Sequence, residues 1–188
     1  MMGIGTVLLV VIVGVVIYLI SIYNNLVSLR TGIDSAWSDI DVQLKRRYDL
    51  IPALVESVKG YKEYESETLQ DIIKLRQQEF DVEGLEEKAK ISNALSQSLS
   101  HLFALAEAYP DLKANTNFLN LQNELSHIED AIQNARRYYN AIVRDYNAKI
   151  ESFPDMLIAQ RFEFTPREYF KLQESEKQSV QDMPDIKF

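Results

Sequence analysis

Glu124-Leu-Ser-His127 is the stretch of this 188-residue chain whose spacing most resembles a metal-ligand set. A Glu-x-x-His pair puts a carboxylate and an imidazole one helical turn apart. Di-iron bundles use two such pairs, plus a Glu from each of two further helices. Here the second pair is missing, because the other histidine, His101, has Ser98 three places before it. A single half-motif is what chance supplies in an acid-rich helix, so no metal is expected and Glu124 and His127 read as part of an exposed face. Nucleophilic chemistry lacks its parts too. The chain has no cysteine, no Gly-x-Ser-x-Gly elbow and no glycine-rich phosphate loop. Neither catalysis nor a cofactor is expected.

Three polar or aromatic groupings remain. Lys45, Arg46 and Arg47 stand together, with Asp49 two places on. As a binding site they would dock an acidic segment of a partner. As structure they are cations compensating a helix C-terminus, followed by an aspartate cap, and this second reading is preferred. "ARRYYNAIVRDYN", residues 135–147, places Arg136, Asn140, Arg144 and Asn147 on adjoining turns with tyrosines between them. It could form a polar layer in the bundle or a surface groove, and the preferred reading is a hydrogen-bonded rim around an aromatic core. In the tail, Phe162 and Phe164 sit in the run "MLIAQRFEF". They could lie on lipid headgroups, bind another protein or pack across the end of a bundle, and the last is preferred.

These residues must be positioned by helices. Apolar side chains recur in steps of three and four, the mark of a helix that buries one stripe. The stripes are Leu26-Leu29-Ile33-Trp37-Ile40-Leu44, then Leu50-Leu54-Val58-Tyr61-Leu69-Ile72-Leu75. A third runs Leu85-Ala89-Ser92-Leu95-Leu99-Leu102-Ala106, and a fourth runs from Phe118 through Leu125, Ile132 and Tyr139 to Ile150. No segment alternates with period two for long enough to suggest a strand. The expected fold is all-α: an N-terminal transmembrane helix followed by an antiparallel four-helix bundle with short loops.

Pro52 decides where the first two helices divide. In mid-helix it would deprive the Tyr48 carbonyl of its hydrogen bond, at about 3 kcal/mol. A helix beginning at Asp49 avoids this, since Pro52 then falls in a first turn where its missing N–H is not needed. The expectation is therefore a turn near Tyr48, with a sharply kinked helix over 47–52 as the alternative, and helices at about 26–47, 50–79, 84–109 and 117–152. By that count the end of the fourth helix faces the membrane. Residues 1–25 form the anchor, 26–153 the bundle, 154–172 an aromatic-rich membrane-proximal tail and 173–188 a polar, disordered end.

The anchor is read from composition. No charged residue occurs among the first 29, and Ile4–Ile22 is apolar apart from Thr6, Tyr18 and Ser21. About 20 such residues cross the hydrocarbon of a bilayer as a helix. A cleaved signal peptide would need a basic start and a small-residue cleavage site, and neither is present. Arg30 alone weights the positive-inside rule, towards a cytoplasmic bundle and an outside N-terminus. The net charge of −8 falls entirely beyond the anchor and excludes nucleic acid as an expected partner.

"AWSDIDVQLKRRYDLIPALVESVKGY", residues 36–61, resembles the signature of the LemA family of small bacterial membrane proteins. The likeness resumes over residues 109–154 and, more weakly, in 156–164, where Gln160, Arg161 and Glu163 make this chain more polar than members commonly are. The resemblance implies an N-terminal anchor, a cytoplasmic helical bundle and no established enzymatic activity. Some relatives help build magnetosome membranes, which implies a membrane-organising role. The expected function is a single-pass scaffold that recruits or organises partners at the bacterial cytoplasmic membrane. The alternative is a homo-oligomer that shapes or stiffens membrane. The expected partners are the bilayer, through residues 4–22, and an unidentified membrane or cytoplasmic protein. If the polar and aromatic groups bind a partner, they are Lys45, Arg46, Arg47, Asp49, Phe162 and Phe164.

Overall fold

The computed structural model describes residues 3–59 and 66–170. Those residues form six helices and no strand. They are α1 (Ile4–Lys59), α2 (Ser66–Asp81), α3 (Leu85–Ala106), α4 (Pro110–Lys113), α5 (Thr116–Glu151) and α6 (Asp155–Arg161). The chain divides into two compact units: Met1–Ser38 with Arg137–Tyr169, and Asp39–Arg136 with Phe170–Phe188. The expected disorder of 173–188 lies outside the described residues.

In the second unit, the last part of α1, then α2, α3 and the first part of α5 make an antiparallel four-helix bundle. Its core comprises Ile51, Leu54 and Val58 of α1, Leu69 and Ile72 of α2, Leu95, Leu99 and Leu102 of α3, and Phe118 and Leu125 of α5. The α3 stripe is buried at Ala89, Ser92, Leu95, Leu99, Leu102 and Ala106, the positions its three-and-four spacing marks. Asn115 caps α5, its Oδ1 accepting from the backbone N–H groups of Asn117 (3.0 Å) and Phe118 (3.2 Å). Pro110 opens α4 at a first-turn position, where no N–H is required.

The turn expected near Tyr48 does not exist. α1 is one helix of 56 residues with Pro52 inside it, so Asp49 is a helical residue and not a cap. α1 ends at Lys59 and α2 begins at Ser66. The proline penalty is met from elsewhere. The Tyr48 carbonyl, which Pro52 cannot serve, accepts a hydrogen bond from Nε of Arg76 on α2 (2.8 Å). The Arg76 guanidinium also lies 3.5 Å from the centre of the Tyr48 ring. The acceptor is thus satisfied by a side chain 28 residues away, and α1 continues.

In the first unit, α1 and the end of α5 are joined by the chain that follows them. α6 closes with Phe162 N–H donating to the Ile158 carbonyl (3.0 Å) and Phe164 N–H to that of Ala159 (2.9 Å). Glu163 takes the left-handed conformation (φ 56°) common at such helix ends. That closure buries Phe164 and Ala159 and leaves Phe162 outside.

Candidate functional site

Continuing the α1 stripe past Leu44 by the same steps gives positions 47, 51, 54 and 58. All four are buried, so Arg47 takes a core position in the second unit. Its guanidinium is fully enclosed and reaches three other helices. Nη1 donates to Ser96 Oγ (2.8 Å) and Glu129 Oε1 (2.6 Å). Nη2 donates to Ser92 Oγ (2.6 Å) and Glu79 Oε1. Ser96 Oγ donates in turn to the other Glu129 oxygen (2.7 Å).

Ser92 links this group to a second buried arginine. Its Oγ also accepts from Nη2 of Arg136 (2.6 Å), whose Nη1 bonds Asn93 Oδ1 (2.8 Å) and whose guanidinium lies 4.5 Å from the Phe170 ring centre. Two cations and two carboxylates therefore form one neutral polar layer. Such a layer is compatible with a low-dielectric core only when its charges are paired and hydrogen-bonded. What it can do is set the register in which four helices meet.

Within the layer Arg47 Nε donates to no acceptor among the described residues, and Glu79 is incompletely bonded as well. It is 4% exposed, and its Oε2 has no hydrogen-bond partner among the described residues. Glu79 also lines an open cavity of about 220 Å³ with Asp41, Leu44, Lys45, Tyr48, Phe80 and Lys88. Around that cavity Phe80 is more than half exposed and stacks on Tyr48 at 4.9 Å, and Lys88 Nζ lies 3.2 Å from Asp41.

The cationic cluster noted in the sequence is thereby split. Lys45 pairs with Asp49 one turn away on the surface, Arg46 bonds Gln43 (3.3 Å), and Arg47 faces inward, away from the solvent a docking role would require. The partners Glu79 and Glu129 were not foreseen. Glu79 continues the α2 stripe of Leu69, Ile72 and Leu75 by the same steps of three and four, which is a signal legible in the sequence. Glu129 lies beside its stripe, where spacing says nothing. Glu124, His127 and His101 are exposed, and no group of three or more His, Asp or Glu among the described residues is placed to hold a metal ion.

The rim expected in 135–147 divides as well. Arg136 belongs to the buried layer, whereas Tyr139, Tyr146 and Asn147 hold the extended tail of the first unit. Tyr139 OH donates to the Glu168 carbonyl (3.0 Å) and Tyr146 OH to that of Thr165 (3.1 Å). Asn147 both donates to the Arg167 carbonyl (2.8 Å) and accepts from the Arg167 N–H (2.9 Å). On the α1 side Arg167 approaches Asp34 (3.5 Å), and the Arg30 guanidinium lies 5.2 Å from the Phe164 ring centre. Phe164 is buried against Tyr23 (5.8 Å), and Phe162 touches the same ring at 4.9 Å while remaining half exposed.

Burial pushes the Tyr139 and Tyr146 phenols above their usual value of 10.0, and the Arg167 cation offsets part of this. A phenol with a raised folded pKa stays protonated where the unfolded chain has already ionised. The stability it contributes is full below about pH 10 and is lost as pH rises through the folded value. The urea midpoint in detergent is expected to hold to that pH and then fall. The pair Tyr139→Phe and Tyr146→Phe should flatten the fall, at about 0.5–1.5 kcal/mol for each hydrogen bond removed. An unchanged alkaline limb in the double variant would assign the effect to other groups.

A family model described as LemA family matches residues 36–188. The chain belongs to the LemA family. Protein LemA of Metamycoplasma hominis is 33% identical over 162 residues, which is 84% of this chain and 72% of that protein. The LemA match takes in the whole arginine layer and the strapped tail, and it begins beyond the apolar run. That run lies in the helix that is long and apolar enough to cross a membrane, with its side chains exposed.

Proposed function

We propose that this LemA-family chain is a membrane-anchored scaffold, which recruits or organises partner proteins at the bacterial cytoplasmic membrane and catalyses no reaction. One observation carries the reading: α1 is a single helix whose beginning is the apolar run and whose end, Ile51 to Val58, is buried in the bundle core. A partner held by the bundle is thereby tethered, through this chain, to the bilayer that the run would cross. The surface best suited to hold one surrounds the Glu79 cavity, which exposed Phe80 lines together with Lys45 and Lys88. Aromatic groups with a polar rim are common at interfaces, and the lining carries two lysines and two carboxylates that a polar partner segment could meet.

The test is brief cross-linking in native membranes, followed by extraction in mild detergent and purification. The expected result is a stoichiometric second protein that is retained by the wild type and lost with Lys45→Glu combined with Phe80→Ser, both helices staying folded by circular dichroism. Retention by that variant would remove this surface from the proposal. Recovery of copies of this chain alone would favour the second reading, a self-assembling protein that shapes or stiffens membrane. That reading is supported by Gly3, Gly5 and Gly14, where an added Cβ would meet nothing within 4 Å, so each position is open to a neighbouring helix.

The bundle is placed in the cytoplasm in this proposal. Because the chain has no cysteine, Ser126→Cys on the exposed face of α5 supplies a single reporter thiol. It should resist an impermeant maleimide in intact cells and react after lysis. Labelling in intact cells would invert the topology.

A further inference from the structure

The corner between α5 and α6 carries more apolar surface than a solvated turn needs. Phe153 is 77% exposed, and Leu157 and Phe162 are each 53% exposed, all within ten residues of one another. Beside them Ala159 and Phe164 are buried, so the corner has a packed inner side. Exposure at the other three is therefore not a sign of a loose segment. These side chains are held outward by a formed helix, a closed helix end and a strapped tail.

Their position along α1 says what covers them. Residues 3–21 are exposed without exception, and Ile22 is the first buried residue of the helix. The next residue, Tyr23, carries Phe162 on its ring at 4.9 Å and Phe164 at 5.8 Å. The corner thus begins where the exposed apolar run stops, within about one residue rise of 1.5 Å. Aromatic residues concentrate at that depth, between acyl chains and water.

We infer that the α5–α6 corner is a second membrane contact, in which Phe153, Leu157 and Phe162 enter the interfacial region of the same bilayer that Ile4–Ile22 crosses. The inference rests on reading that run as the membrane span. Arg161, one turn after Leu157 and exposed, has the reach to keep its guanidinium at the phosphates while its stem lies along the chains. The other charges of the corner are Glu151 and Glu163, both exposed, and the Lys149–Asp155 pair at 3.6 Å. The corner is close to neutral, so the contact is apolar in origin and needs no anionic lipid. Its consequence is geometric: a single span allows rotation and tilt, and a second contact beside it limits both.

Tryptophan fluorescence of the full chain in phosphatidylcholine vesicles tests this. Trp37 is the sole tryptophan, and it stands about 22 Å along α1 from Ile22. Trp37→Phe therefore clears the background, and Leu157→Trp, Phe162→Trp or Ile12→Trp adds a reporter. The corner reporters should emit to the blue of Trp37 and resist aqueous iodide. Lipid brominated near the head of its chains should quench them more than lipid brominated near the chain ends, with the reverse order for Ile12→Trp. If iodide quenches the corner reporters while Ile12→Trp responds to lipid bromine, the span stands and the second contact falls. Corner reporters shielded from both quenchers would mean that protein covers the corner, which also overturns the inference. If Ile12→Trp ignores lipid bromine, the membrane reading fails first.

Discussion

Arg47→Ala should lower the unfolding free energy of the bundle by about 3–5 kcal/mol, the usual cost of removing one partner from a buried ion pair. The cost arises less from the lost contacts than from what is left behind. Glu79 is 4% exposed and would keep a carboxylate with no cation beside it. Ser92 and Ser96 would each lose a charged donor. Arg47→Lys should fall between the two, because a point-like ammonium cannot serve four acceptors that a planar fork reaches at once. Replacing the set together, as Arg47→Met with Glu79→Leu and Glu129→Leu, should recover most of the loss, since desolvating the ions cancels much of their attraction. Urea unfolding followed by circular dichroism in detergent gives all three values. A loss below about 1 kcal/mol in Arg47→Ala would place it among exposed ion pairs and refute a closed layer. If the apolar triple variant is stable yet associates differently with its partners, register would be identified as the role of the layer.

Pro52→Ala should stabilise the same unit by about 1–3 kcal/mol, because alanine restores an N–H to the Tyr48 carbonyl and removes a ring from a helix interior. The more telling measurement is its coupling to Arg76. In the wild type, Arg76→Met strips the Tyr48 carbonyl of its donor and should cost about 1–3 kcal/mol, together with the stacking of the guanidinium on the Tyr48 ring. In a Pro52→Ala background the carbonyl has its helical partner again, so only the stacking part should remain. A double-mutant cycle isolates the difference. Simple additivity would show that Arg76 acts on the ring alone and that the carbonyl is satisfied in another way. The coupling matters for function as proposed here, since an α1 broken at Tyr48 would no longer carry the apolar run and the bundle core on one helix.

The expected turn at Tyr48 was argued from a sound local cost, and the cost is real. What spacing could not express is that a backbone acceptor can be served by a side chain from any part of the chain. Had the α1 stripe been continued through Pro52, Leu44-Arg47-Ile51-Leu54-Val58 would have placed Arg47 inside. Its charge argued the other way, because an arginine is rarely enclosed without partners. Those partners lie on α2, α3 and α5, at separations of 32 to 82 residues. The Phe162–Phe164 pair shows the same limit at smaller scale. Both are aromatic and two places apart, and only the left-handed Glu163 sends one inward and leaves the other out.

The sequence by itself determined the helical class, the apolar run, the buried stripe of α3 and the LemA kinship. Each depends on residues within a turn or two of one another or on a long linear likeness, so each can be read along the chain. Tertiary structure alone decided that α1 passes through its proline, that the cationic cluster divides between surface and core, and that the tail is strapped against α1 and α5. In each of these a polar group or a ring is satisfied by a partner distant in sequence, and the free energy that selects the arrangement exists only once the partners meet.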